Sequence, residues 1–320
     1  MAIDEKLNSY TEDQGTLGVG GGVSLQLEVD RDYDYESGRV HTGTTITDVY
    51  SYTDCNGRTY HGRTRGAYSL PNDGEEQDRQ DFIHHIYRLI LDSKLGLAPT
   101  DSPSHVLDIA TGTGIWAIEF AKEHPDAFVV GTDLNVIQPV SPAPNCCFIQ
   151  ENSETQDWSF PFTFDYIHAR NVGPCFTNFA LVCQRAYNHT SPGGWIEIQD
   201  ASWDPFSIDG SLSGTALERW FQIIKSAGTY ASGDVTKTIH YKGYLQQAGY
   251  ADIVEVIEPV PSHPWARGRR MKVLGAFKGT YKIHKFIGIW MPTLYTDEDL
   301  LTRNSCPHPD GLGHSIGVLA

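Results

Sequence analysis

The chain of 320 residues is 40% hydrophobic, 11% aromatic and 20% charged, a balance that belongs to a globular protein of one large or two small domains and excludes a disordered or fibrous one. Its 24 basic and 40 acidic side chains leave a net charge of −16, which argues against direct nucleic-acid binding, because neutralising phosphates takes clustered Lys and Arg. Six cysteines with neither a Cys-x-x-Cys pair nor even spacing argue against a zinc ribbon or a disulfide framework and suit free thiols in a reducing compartment.

The amino terminus, MAIDEKLNSY, lacks a basic start followed by an apolar stretch, and no later run approaches the roughly 20 apolar residues of a membrane span. A soluble protein of the cytoplasm or nucleus, without a membrane partner, is expected. Between Asp4 and Glu36, nine acids stand against Lys6 and Arg31 around a glycine cluster. Residues 1–47 are therefore expected to be an acidic, disordered tail, burying too little apolar surface to offset the entropy of ordering it. Residues 48–103 form an amino-terminal cap or lid, in which Asp73 and Glu76 resemble a capping box ahead of Phe82, Ile83, Ile86, Leu89 and Ile90 at helical spacing. A helix over 75–93 follows.

From His105 onward, short apolar runs alternate with helical stretches, the pattern of βαβ units and a parallel sheet with helices on both faces. Strands are expected near 105–110, 127–132, 146–150, 164–169, 194–199 and 251–257, and helices near 114–123, 177–188, 214–227 and 240–248. Residues 265–285 carry seven basic side chains and no acid, which reads as a solvated basic face. The domain is expected to span 104–275 and residues 276–320 to form a divergent segment. No closing strand is evident there, with Gly313 to Leu319 as the one stretch that can form a short one.

The most informative segment runs from His105 through Asp108, Gly112, Gly114 and Ala117: a strand, a glycine turn and a helix, so that backbone approaches a ligand at the carboxyl end of the first strand. Gly112-x-Gly114-x-x-Ala117 alone also fits a dinucleotide fingerprint. Asp108 opposes that reading, because its carboxylate would face a pyrophosphate seated on the helix N-terminus, whereas it suits a ligand with an ammonium group, such as S-adenosylmethionine. Asp133, closing the next strand, can accept both ribose hydroxyls of either ligand; its alternative is a helix N-cap.

The run from Val106 to Ala121, followed by Gly131-Thr-Asp-Leu-Asn-Val-Ile-Gln-Pro139, resembles the LaeA-like fungal class I methyltransferases. The resemblance spans about residues 48–275. It includes Asn56-Gly-Arg-Thr-Tyr60-His61, Leu70-Pro71-Asn72-Asp73, Phe164-Asp-Tyr-Ile-His168-Ala-Arg170 and Pro192-Gly-Gly-Trp195-Ile-Glu197-Ile-Gln199. It implies a Rossmann-like seven-stranded sheet, bound S-adenosyl-L-methionine and a role in fungal secondary metabolism. Carried onto this sequence, it implies that Asp108, Gly112 and Gly114 hold the methionine end, Asp133 the ribose, Leu134 the adenine face, and Glu151 and Asn152 the adenine amino group. Ala110 stands where the family has the first glycine of the turn.

Methyl transfer is an in-line displacement, and holding nucleophile and methyl in line supplies roughly 7–11 kcal/mol, so positioning alone can suffice. For a hydroxyl acceptor, His168 at the end of the fourth strand is the candidate base; the alternative is a packed histidine bonded to a backbone carbonyl. Arg170, on the same strand face, can pair with the cofactor carboxylate or with a helix acid. The expected activity is O- or N-methylation of a small-molecule acceptor. The alternatives are a methyltransferase-like regulator that binds the cofactor and a protein partner, and, more remotely, an NAD(P)-dependent oxidoreductase.

Overall fold

A short antiparallel hairpin precedes the first helix. In the computed structural model, which describes residues 33–34, 39–40, 52–55, 58–61, 70–140, 142–202, 204–231, 236–280 and 312–319, the chain divides into two compact units, Met1–Thr47 and Asp48–Ala320. Of the first unit only the antiparallel pair β1 (Tyr33–Asp34) and β2 (Arg39–Val40) is described, so the expected acidic tail otherwise lies outside the described residues. In the second unit, β3 (Tyr52–Cys55) pairs antiparallel with β4 (Arg58–His61).

Helix α1 (Gly74–Ile90) starts at Asp73, whose carboxylate accepts from Glu76 N at 3.0 Å while Arg58 grips it from β4 at 2.5 and 2.9 Å. The capping box is only half formed. Glu76 is fully buried and receives Arg79 through two bonds of 2.7 and 2.5 Å instead of reaching back to Asp73 N. The helix stops short of the expected residue 93 because Asp92 and Ser93 adopt left-handed backbone, φ 50° and 67°.

The sheet is built by β5 (His105–Ile109), β6 (Phe128–Asp133), β7 (Cys146–Gln150), β8 (Phe164–Arg170), β9 (Thr190–Ala201), β10 (Phe206–Ser207), β11 (Glu255–Pro261) and β12 (Leu312–Leu319). Its order is β10-β12-β9-β8-β5-β6-β7, with β11 on the free side of β12; β9, β8, β5, β6 and β7 run parallel. Between the strands lie α2 (Ile115–Glu123), α3 (Phe179–His189), α4 (Ala216–Ala231), α5 (Tyr241–Ala248) and α6 (Arg269–Thr280). Parallel strands covered on both faces read as continuous apolar runs, and β5 alternates accordingly: Leu107 and Ile109 join Phe179, Val182 and Ala186 of α3, whereas Val106 joins Trp116 and Phe120 of α2. The expected α/β Rossmann-like architecture with helices on both faces is present.

Two expectations are corrected and a third is placed on a helix. Strand β11 begins at Glu255 and not at 251, because Asp252 takes φ 54° and interrupts the extended run. The basic stretch keeps its expected solvated face on helix α6, where Arg269, Arg270 and Lys272 are exposed while Leu274 is 1% exposed; Arg270 Nε caps the end of α1 by donating to Leu89 O at 3.0 Å. Most consequentially, a closing strand exists. Residues 312–319 run antiparallel between β9 and β11, pairing Leu319 with Ile198 and Glu255. The sequence offers Gly313 to Leu319 as the stretch able to form it, but Gly313, Ser315 and Gly317 dilute its hydrophobic pattern; residues 281–311 lie outside the described residues.

Candidate functional site

The carboxyl ends of β5, β6, β7 and β8 open onto one crevice, roofed by α1, and its lining includes Asp108, Gly112, Asp133, Leu134, Glu151 and His168. The first wall is the turn after β5. Gly112 and Gly114 take φ 61° and 80°, and a Cβ on Gly114 would lie 2.3 Å from the Phe148 ring, so both conformation and space demand glycine. Ala110 also sits in left-handed backbone, φ 54°, a strain that the missing family glycine would relieve. Ala110→Gly is accordingly expected to stabilise the protein by about 1 kcal/mol in urea unfolding, net of the looser unfolded chain, with an unchanged slope.

Asp133 faces the same turn. Its Oδ2 accepts from Gly112 N at 2.8 Å and its Oδ1 from Asn135 N at 2.8 Å, leaving further lone pairs on both oxygens. The N-cap alternative is set aside, since Asp133 ends β6 and the described residues that follow it before β7 hold no helix. Burial pushes the carboxyl up to about 6, opposed by the two backbone donors. Next to it, Leu134 lines the crevice. Across from Asp133, Glu151 follows β7; its Oε1 is buried without a hydrogen-bond partner, and burial pushes its carboxyl up to about 7. Asn152 also lines the crevice, but its Oδ1 is committed to Glu154 N and Thr155 N, at 3.0 and 3.1 Å.

At the centre, Asp108 accepts from Thr111 Oγ1 at 2.5 Å and bonds His168 Nδ1 at 2.7 Å. With a carboxylate on Nδ1, the imidazole carries its proton there and leaves Nε2 as an acceptor, and Nε2 is buried with no partner. The ring lies flat on Trp116, centroids 3.7 Å apart and planes 3° from parallel. His168 is fully buried, and burial lowers its pKa although Asp108 opposes the shift, so the neutral form dominates at neutral pH. Its bond is to a carboxylate and not to the backbone carbonyl of the alternative reading.

Arg170 enters the crevice from the end of β8. It donates to Gln199 Oε1 at 2.7 Å, His84 Nδ1 at 3.0 Å and Leu95 O at 3.2 Å, and its guanidinium lies 4.7 Å from the Tyr87 ring centre. No carboxylate pairs with it among the described residues, so the helix-acid alternative is not what forms. Of five guanidinium N–H groups, three are used and two remain.

Sequence reasoning missed the inner face of α1. His84 is buried, receives Arg170 on Nδ1 and donates from Nε2 to Glu119 at 3.0 Å; burial first and then Arg170 push its pKa down to about 4. Asp81 accepts from Thr113 Oγ1 at 2.6 Å, tying α1 to the glycine turn. Also missed is Glu197, fully buried on β9, which accepts from Leu97 N, Ala98 N, Tyr166 Oη and Gln199 Nε2 at 2.6–3.0 Å. It fixes the loop whose Leu95 carbonyl receives Trp116, Arg170 and Gln199. Glu197→Ala removes the acceptor of the buried Tyr166 Oη and of two half-buried backbone N–H groups, and is expected to cost about 3 kcal/mol in urea unfolding, with Glu197→Gln intermediate. The signal was present, an acid in an apolar strand, but its backbone partners Leu97 and Ala98 lie about 100 residues away in the chain.

A family model described as a methyltransferase domain matches residues 82–256. Methyltransferase pytC of Aspergillus terreus is 33% identical over 254 residues, 78% of this chain and 78% of its own. The secondary metabolism regulator laeA of Aspergillus fumigatus is 35% identical over 230 residues, 70% of this chain and 61% of its own length. Among solved structures, the plantazolicin methyltransferase BpumL in complex with a desmethylPZN analogue and SAH aligns with a TM-score of 0.41 at 17% identity, covering 76% of this chain and 87% of that one.

Proposed function

Since the chain belongs to the LaeA-like class I methyltransferases, enzymes that use S-adenosylmethionine, we infer that it methylates an oxygen or nitrogen of a small-molecule acceptor in fungal secondary metabolism. The observation that carries this reading is the acceptor set of the crevice: lone pairs on both oxygens of Asp133, the buried, unpartnered Glu151 Oε1 and the carboxylate of Asp108 line it together. These fit a ligand that brings a ribose diol, an amino-bearing base and a cationic end. When bound, the cofactor supplies a methyl group on a sulfonium centre that departs without a proton.

In this reading the residues of the domain, 104–275, divide the work. Asp133 accepts the ribose hydroxyls, Glu151 the adenine amino group, and Leu134 packs on the base, while Asn152 holds the turn that presents Glu151. Gly112 and Gly114 keep the wall thin, and Asp108 and the two spare N–H groups of Arg170 face the ammonium and carboxylate of the methionine end. His168 takes the acceptor's proton at Nε2, and Asp108 stabilises the imidazolium that results. The cap, 48–103, closes the crevice through α1.

Thermal unfolding with S-adenosylhomocysteine or NAD tests the cofactor; at about 100 times the dissociation constant a true ligand adds roughly 2.7 kcal/mol. A shift with NAD alone would sink the reading. A second reading rests on the relatives named as regulators: a cofactor-binding protein that acts through a protein partner. Labelled cofactor with extracts of the producing organism separates the two, because a regulator that methylates nothing leaves every extract unlabelled. The free thiols Cys146, Cys147, Cys175 and Cys183 support residence in the cytoplasm or nucleus, which cell fractionation checks.

A further inference from the structure

The segment that leads into α1 touches the crevice through a chain of amides. Asn72 and Asn135 are 4% and 5% exposed, and Asn72 Nδ2 donates to Asn135 Oδ1 at 3.0 Å. On its other side Asn72 Oδ1 accepts from Thr59 Oγ1 at 2.9 Å, its N–H donates to Thr59 O at 2.9 Å and its carbonyl accepts from Gln77 Nε2 at 3.0 Å. Asn135 Nδ2 in turn lies 3.5 Å from Asp133 Oδ1, the oxygen that its own backbone N–H reaches at 2.8 Å.

An amide side chain has a donor end and an acceptor end, so this chain has a direction. The Asp133 carboxylate only accepts, which obliges Asn135 to turn its NH2 toward Asp133 and its oxygen toward Asn72; Asn72 answers with its NH2 and turns its own oxygen to the Thr59 hydroxyl, which β4 holds in place. Reversing Asn135 would set its oxygen against a carboxylate oxygen. We propose that Asn72 is a positioning residue that, through the amide of Asn135, orients the Asp133 carboxylate for the two ribose hydroxyls, so that the cap sets the affinity for the cofactor. The proposal rests on the reading of Asp133 as the ribose acceptor.

Calorimetric titration of S-adenosylhomocysteine, and of its analogue lacking both ribose hydroxyls, into the full chain and into Asn72→Ala, Asn72→Asp and Asp133→Ala tests it. Both Asn72 variants are expected to bind S-adenosylhomocysteine about tenfold more weakly, the loss of one buried hydrogen bond, and to bind the dideoxy analogue as the parent does. Asn72→Asp keeps the shape of the residue but presents only acceptors to Asn135, so it carries the comparison if Asn72→Ala does not fold. Equal losses for both ligands, as a merely structural Asn72 would give, overturn the proposal, as does unchanged affinity in the Asn72 variants while Asp133→Ala binds weakly. Unchanged affinity in Asp133→Ala overturns instead the ribose reading beneath it.

Discussion

Asp133→Ala is expected to weaken binding of S-adenosylhomocysteine by a factor of about 10² or more, two hydrogen bonds to a charged acceptor being worth roughly 1.5–3 kcal/mol each. Stability should change little by comparison. Truncation frees Gly112 N and Asn135 N of their acceptor, but it also removes a carboxyl whose burial pushes it up to about 6. That raised pKa fixes the sign of the pH dependence. Between the ordinary carboxyl value near 4 and about 6 the folded protein holds the proton more tightly than the unfolded chain, so Asp133 lowers stability as pH rises through that window. The share of cofactor affinity that Asp133 supplies runs the other way: the hydroxyls need the ionised form, so it rises with pH up to about 6 and then levels off. At pH 5 about a tenth of the group is ionised, and binding should be roughly tenfold weaker than at pH 8. Glu151, pushed up to about 7, adds a change of the same sign and accounts for the residual pH dependence in Asp133→Ala. Calorimetry from pH 5 to 8 reads both effects; affinity that improves toward low pH would contradict the assignment.

Of comparable size is the expected effect of His168→Gln on turnover. A positioned base contributes about 10²–10⁴ to a proton transfer, and the Asp108–His168 pair has the form of an oriented base: a carboxylate on one nitrogen, a lone pair on the other, and a tryptophan beneath the ring. Glutamine preserves a polar side chain of similar reach without the titrating nitrogen. The rate of methyl transfer to a hydroxyl acceptor should fall by that factor, and the fall in rate toward acid, where the imidazole is protonated, should disappear. Affinity for S-adenosylhomocysteine should move less than threefold, since the ring is not assigned to the cofactor. An unchanged rate at saturating acceptor would leave His168 as a packing group only.

Most of this site was legible because its residues lie at strand ends whose positions follow from local pattern. Asp108, Gly112, Gly114 and Asp133 are spaced by one βαβ unit, so a short stretch of sequence places them together. Arg170 and His168 follow from two-residue periodicity on β8. What escaped depends on pairings between distant segments. Glu197 reads as an anomalous acid until the loop at Leu95 to Ala98 is brought beside it, and His84 gives no hint from its helix that it will meet Arg170. Ala110 was visible as a departure from the glycine turn, but only its backbone angle turns that departure into strain.

The antiparallel strand β12 also bears on how the protein is made. It fills the gap between β9 and β11, yet it is encoded far beyond both, so a ribosome that has finished β11 has produced a sheet with an unfilled slot. Until residues 312–319 emerge, both strands offer open edges to any neighbouring chain, and β10 and β11 have no partner that sets their register in the sheet. Translation halted before Leu312 should therefore yield aggregates in place of a trimmed enzyme.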